Sequence, residues 1–164
     1  MMVVSYVGVG SNVGDRAGFC RASVAALAEH PEIEVDATSS LYETSPIGGP
    51  PQRSFVNMAV RIRTSLDARG LLDAVKKIER QLGREPNEMR WGPRVADLDV
   101  LTFDDEKIVE PDLEIPHPRL TQRRFVLVPL LEIDPEISDP WGTPYADALD
   151  EAEGDVELLE PFGS

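Results

Sequence analysis

Cysteine is almost absent from this sequence: Cys20 stands alone among 164 residues. That excludes an internal disulfide and leaves zinc sites built from Cys clusters without ligands. No apolar run approaches the roughly 20 residues that cross a bilayer, so no membrane partner is expected. The opening MMVVSYVGVG lacks a basic n-region and passes straight into a strand pattern, which excludes a secretory signal and leaves the cytoplasm as the expected compartment. Lysine is scarce as well, since 13 of the 16 cationic residues are arginine, and the net charge is −14. No general basic footprint exists for displacing counterions, so nucleic acid is not an expected partner. Positive charge disappears altogether after Arg124, while seven carboxylates fall between positions 147 and 160. The whole chain, 1–164, is read as one domain, with 141–164 as an acidic C-terminal extension expected to fray.

What positive charge there is comes in clusters: Arg84, Arg90 and Arg94, then Arg119, Arg123 and Arg124. An acidic chain that gathers arginine in two segments is suited to a small anionic ligand. Between those clusters lies Arg-Trp-Gly-Pro-Arg-Val-Ala-Asp-Leu-Asp-Val-Leu, residues 90–101. From Ala96 to Phe103 the pattern alternates, which predicts a strand with Asp97 and Asp99 on one face and Leu98 and Val100 on the other. The two carboxylates would then stand roughly 7 Å apart, near enough to hold one hard cation or bracket two. Asp-x-Asp is equally the pattern of a solvated face on an edge strand, and spacing alone leaves both readings open. Carboxylates for a divalent cation with arginines for phosphate oxygens are the minimal equipment for phosphoryl transfer.

Taken in order, residues 3–9 read as a first strand. Gly8, Gly10 and Gly14 surround Ser11-Asn12, but the Walker lysine and the dinucleotide glycine spacing are both missing, so a strand-to-helix turn is the reading. Arg16–Glu29 is predicted helical with Cys20, Val24, Leu27 and Ala28 inward, and 33–44 is predicted as one strand. The Gly/Pro-rich segment 45–52 is a candidate binding loop. Phe55–Thr64 follows as a strand interrupted by Asn57, which is either a satisfied structural amide or a contact to a heterocycle edge. The best helix spans 67–82, with Leu71, Val75, Ile78 and Leu82 inward. A short strand at 107–109, a stiff Pro116-His117-Pro118 segment, an apolar helix over 125–133 and an amphipathic piece around 145–149 complete the chain. Strand and helix patterns therefore run β-α-β-β-α-β.

Several landmarks stand in a set order: Gly10-Ser11-Asn12, Thr44-Ser45-Pro46, Phe55-Val56-Asn57 and Gly83-Arg84. Arg90-Trp91-Gly92-Pro93-Arg94 with Asp97-Leu98-Asp99, then Pro116-His117 and Arg123 near Phe125, complete the set. From about residue 3 to 140 the chain resembles the 6-hydroxymethyl-7,8-dihydropterin pyrophosphokinases of folate biosynthesis. That resemblance implies an α+β, ferredoxin-like fold: a mostly antiparallel sheet covered by helices, with long active-site loops. It implies transfer of pyrophosphate from ATP to the hydroxymethyl group of the pterin, with release of AMP, and no protein partner is implied. Carried over residue by residue, Asp97 and Asp99 would hold two Mg²⁺ ions, and Arg84 and Arg94 would close over the phosphates from mobile loops. Glu79, His117 and Arg123 match ATP-contacting positions. The pterin would stack between Phe55 and Phe125, bonded by Asn57 and by backbone near Thr44 and Ile47, with Trp91 sealing the site.

The sequence departs from the family pattern at Phe55, where Tyr is frequent, and at Lys76, Asp112 and Pro118 near the nucleotide. Two other classes fit parts of the pattern: a different metal-dependent phosphotransferase or nucleotidyltransferase, and a nonenzymatic nucleotide- or pterin-binding module. Release of AMP separates the first from the pyrophosphokinase, and metal-independent ATP binding would mark the second.

Overall fold

The computed structural model describes residues 1–46, 52–83 and 96–163. Nine residues of alternating Val, Tyr and Gly form β1 (Val3–Ser11), which pairs antiparallel with β4 (Phe55–Thr64) and β5 (Asp97–Phe103). The far edge of β4 carries β2 (Ile33–Thr38) and β3 (Leu41–Thr44) in succession, and β8 (Val156–Glu160) adds to β3. A separate hairpin joins β6 (Ile108–Glu110) to β7 (Leu113–Ile115). The strand order β5-β1-β4 followed by β2 and β3 is the expected α+β, ferredoxin-like arrangement.

Period-2 patterning divides the sheet into two unlike faces. Val7, Val9, Val56, Met58, Val60, Ile62, Leu98 and Val100 meet α1 (Arg16–Glu29) and α2 (Ala68–Gln81) in the main core. On the opposite face Tyr6 and Leu101 pack with Leu120, Tyr145 and the apolar side of α3 (Arg124–Ile133). Both long helices start at an aspartate cap: Asp15 accepts from the Gly18 N–H at 3.0 Å and Asp67 from the Gly70 N–H at 2.7 Å. Among the described residues no helix is long and apolar enough to cross a membrane.

The predicted strand 33–44 is in fact two. From Thr38 to Tyr42 the chain takes four steps against three from Val60 to Asn57, so one extra residue is inserted at the break. Ser39 bridges it: its N–H donates to the Ala59 carbonyl at 2.9 Å and its Oγ accepts from the Ala59 N–H at 2.8 Å. On α1, Ala28 is exposed and Ser23 is buried in its place, its hydroxyl donating to the Phe19 carbonyl at 2.9 Å. The acidic extension is also ordered where fraying was expected. Backbone pairing along the open edge of β3 recruits residues 156–160, and Phe162 packs against the core beneath the Arg21 guanidinium.

Cys20 is fully buried with its thiol directed at the Val56 carbonyl, and burial pushes its pKa up to about 12. A soluble alkylating reagent at mildly alkaline pH is therefore expected to leave the native thiol unmodified and to label it only in denaturant. Rapid labelling of the native protein, read by intact mass, would contradict this packing.

Candidate active site

The site begins with two missing side chains. Across the sheet Asp97 faces Gly10 and Asp99 faces Gly8, while on the other side of β1 Gly10 faces Asn57 and Gly8 faces Ala59. One row therefore runs carboxylate, glycine, amide over a floor that β1 leaves bare. A Cβ on Gly10 would lie 2.3 Å from Asn57 Oδ1, so only glycine permits the amide to lie there. Asn57 is nearly buried and its Nδ2 donates to Thr44 Oγ1 at 2.7 Å, which fixes the plane of the amide. Phe55 stands one cross-strand step along, opposite Thr44.

The start of α3 and the segment before it form the facing wall. A cavity of about 360 Å³ lies between, lined by Gly8, Gly10, Thr44, Phe55, Asn57, Asp97, Asp99, His117, Arg123 and Phe125 among others. Its size suits a small planar ligand with part of a nucleotide. The Arg123 guanidinium sits 5.5 Å from the centre of the Phe125 ring, so a cation and an aromatic face are presented together.

His117 is held through its backbone and its ring. Its N–H donates to the Leu101 carbonyl at 2.8 Å, and its Nδ1 accepts from the Arg119 N–H at 3.2 Å. The proton of the neutral ring is thereby assigned to Nε2, where it can be donated to a ligand. Burial first, then the nearby Arg123 and Arg119 cations, push the His117 pKa down to about 4 against the opposing pull of Asp97. The ring is neutral near pH 7. Because the unfolded ring protonates near 6.5 and the folded one near 4, this residue costs stability as pH falls through that window. Between about pH 7 and about pH 4 the expected loss is about 2–3 kcal/mol, most of which a His117→Gln variant should not show in denaturant titrations. Equal acid sensitivity of the two proteins would refute the assignment.

Eight of the predicted site residues line this one cavity: Thr44, Phe55, Asn57, Asp97, Asp99, His117, Arg123 and Phe125. Glu79 does not line it. Its carboxylate is buried on α2 and accepts from the Leu98 N–H at 2.7 Å, bracing β5 between the two aspartates. Ile47, Arg84, Trp91 and Arg94 lie outside the described residues. Ser45 and Gln52, the two ends of the segment read as a candidate binding loop, and Arg119 of the second arginine cluster also line the cavity, although none was singled out as a site residue. Asn12, at the end of β1, donates to Gln52 Oε1 at 2.8 Å and to the Arg53 carbonyl at 3.0 Å, pinning the chain where it re-enters β4. The signal for Asn12 was its place just after the glycine turn, where a side-chain amide can hold a neighbouring loop.

Known proteins share both the sequence and the fold. A family model described as 7,8-dihydro-6-hydroxymethylpterin-pyrophosphokinase (HPPK) matches residues 6–135. A 2-amino-4-hydroxy-6-hydroxymethyldihydropteridine pyrophosphokinase of Bacillus subtilis is 49% identical over 130 residues, covering 79% of this chain and 77% of that protein. A protein of the same name from Aquifex aeolicus is 39% identical over 139 residues, covering 85% of each. The bifunctional protein FolKE of Lactococcus lactis is 35% identical over 97% of this chain, which spans 46% of its length. Among solved structures, a Plasmodium falciparum HPPK-DHPS superposes over 92% of this chain with a TM-score of 0.73 at 16% identity. This chain spans 45% of that one, and the likeness establishes the fold.

Proposed function

This chain belongs to the 7,8-dihydro-6-hydroxymethylpterin-pyrophosphokinase family, and from that premise we propose how its own residues carry the reaction. It is an ATP-dependent pyrophosphokinase that transfers a pyrophosphoryl group to the hydroxymethyl group of 6-hydroxymethyl-7,8-dihydropterin in folate biosynthesis, releasing AMP. In that transfer the acceptor oxygen bonds to the β-phosphorus as the bond to the α-phosphate oxygen breaks. Little covalent work falls to the protein, which must align two substrates and offset charge.

The observation that carries the reading is the glycine floor, which leaves one open cavity between a carboxylate pair and an amide beside an aromatic slot. The pterin lies flat between Phe55 and Phe125, its polar edge against Asn57 and the Thr44 backbone. Its hydroxymethyl group then points along the bare strand toward Asp97 and Asp99. Those carboxylates offer hard oxygen donors on one strand face. Such a pair fits Mg²⁺, which takes one or two carboxylates and completes its shell with phosphate oxygens and water. Asp97 and Asp99 would hold two such ions, which would supply charge neutralisation for the transfer. His117 Nε2–H and Arg123 bind phosphate oxygens from the facing wall, and Glu79 keeps β5 in place. By the same reading Arg84 and Arg94 bind the phosphates, Trp91 seals the site and Ile47 contacts the pterin. We assign the full chain to one domain acting in the cytoplasm.

Product analysis tests this assignment. Incubation with ATP, Mg²⁺ and the reduced hydroxymethylpterin is expected to yield AMP and pterin pyrophosphate in equal amounts, with no nucleotide turnover when the pterin is left out. ADP as the product would instead favour a simple phosphotransferase.

A further inference from the structure

The family match ends at residue 135, yet the segment after it touches both walls of the acceptor cavity. On one side Val156 pairs with Thr44, the Ser45 N–H donates to the Asp155 carbonyl at 3.2 Å, and the Asp155 N–H donates to Ser45 Oγ at 3.1 Å. On the other side, two residues earlier, the Glu153 N–H donates to the Gln122 carbonyl and its carbonyl accepts from the Arg124 N–H, both at 2.9 Å. Arg124 Nε adds a bond to the Ala152 carbonyl at 3.2 Å. Helix α3 begins here without a side-chain cap, so the Glu153 carbonyl engages one of its otherwise unpaired first-turn amides. Gly154 makes the turn between the two sets of bonds at φ 112°, a conformation that suits glycine alone.

We propose that residues 152–160 are a positioning strap that sets the separation of Thr44–Ser45 from Arg123–Phe125, and with it the width of the pterin slot. This rests on the reading that Phe55 and Phe125 enclose the pterin. The strap holds backbone on each side, so a change in it moves the Phe125 ring as a unit. Arg123 has a long flexible side chain that can absorb the same displacement, which separates the consequences for pterin and for ATP. The far end of α3 is tied independently, where Glu132 accepts from the Ser40 N–H at 2.9 Å and from the Ser40 and Tyr42 hydroxyls.

A side chain at Gly154 strains the turn and so shifts the strap. Gly154→Ala is expected to raise the pterin KM, and its Kd measured with a nonhydrolysable ATP analogue, by about fivefold or more while the ATP KM stays within about twofold. Ser45→Ala, which removes the acceptor for the Asp155 N–H and trims one hydroxyl from the cavity wall, should act in the same direction and serves if Gly154→Ala folds poorly. Gly142→Ala is the control: that glycine also has positive φ, 94°, with no atoms near its missing side chain and no place in the cavity lining. It should lower stability similarly and leave both KM values unchanged. Phe125→Ala reports on the underlying reading and is expected to weaken pterin binding. If Phe125→Ala weakens pterin binding but Gly154→Ala and Ser45→Ala do not, the strap proposal is wrong and the slot stands. If Phe125→Ala has no effect, the slot reading fails and the strap proposal with it.

Discussion

Asp97→Asn and Asp99→Asn each lower kcat by on the order of 10³-fold or more, with the folded structure intact. Both carboxylates face the cavity from half-buried positions opposite glycines, so neither side chain supports the core. Their neighbours Leu98 and Val100 hold β5 to the helices, and Glu79 braces its edge, so removal of one charge leaves the strand in place. On the proposed reading, what is lost is the anchor for Mg²⁺ and hence the neutralisation of the triphosphate at the point of attack. The signature should be a fall in kcat accompanied by loss of the Mg²⁺-dependent part of ATP binding, with thermal unfolding shifted by no more than a few degrees. Near-normal turnover in both variants would remove the metal assignment.

Asn57→Ala reduces kcat/KM for the pterin by about 10²-fold, close to 3 kcal/mol of transition-state binding. The amide is bonded through Nδ2 to Thr44 and lies over Gly10, so its geometry exists before any ligand arrives. Alanine removes the polar edge that matches the heterocycle and frees the Thr44 hydroxyl to rotate. It also opens space above Gly10 that water would enter beside the reacting groups. Nucleotide binding measured without pterin should be unchanged, because the proposed contact of Asn57 is to the pterin alone. An equal loss of ATP affinity would mean that the amide serves the nucleotide instead.

How far the sequence disclosed these features depended on whether the cause was local. Asp97 and Asp99 were legible because alternation over eight residues is a backbone property that needs no partner. Asn57 stood out for the same reason, as a polar break in an apolar strand. The glycines at 8 and 10 were visible as residues but not as a floor, since their meaning comes from the β1–β4 and β1–β5 registers. The division of 33–44 at Ser39 was hidden because serine there replaces ladder bonds through its own hydroxyl. Composition misled most at the C-terminus. Dense carboxylates argued for a solvated tail, but an open edge on β3 and the unpaired first turn of α3 gave that backbone partners regardless of its side chains. Glu79 was singled out by resemblance as an ATP-contacting position, and its carboxylate also accepts from the backbone between the two aspartates, a bond that sequence reading could not show.

The central claim is that one cavity aligns the pterin with the metal-bearing strand across a bare glycine floor. A crystal structure of the protein with Mg²⁺, a nonhydrolysable ATP analogue and the hydroxymethylpterin tests it most directly. The expected result places the pterin ring between Phe55 and Phe125, its polar edge on Asn57, and cations about 2.0–2.1 Å from oxygens of Asp97 and Asp99. A pterin bound outside that slot, or phosphates held away from the two aspartates, would contradict it.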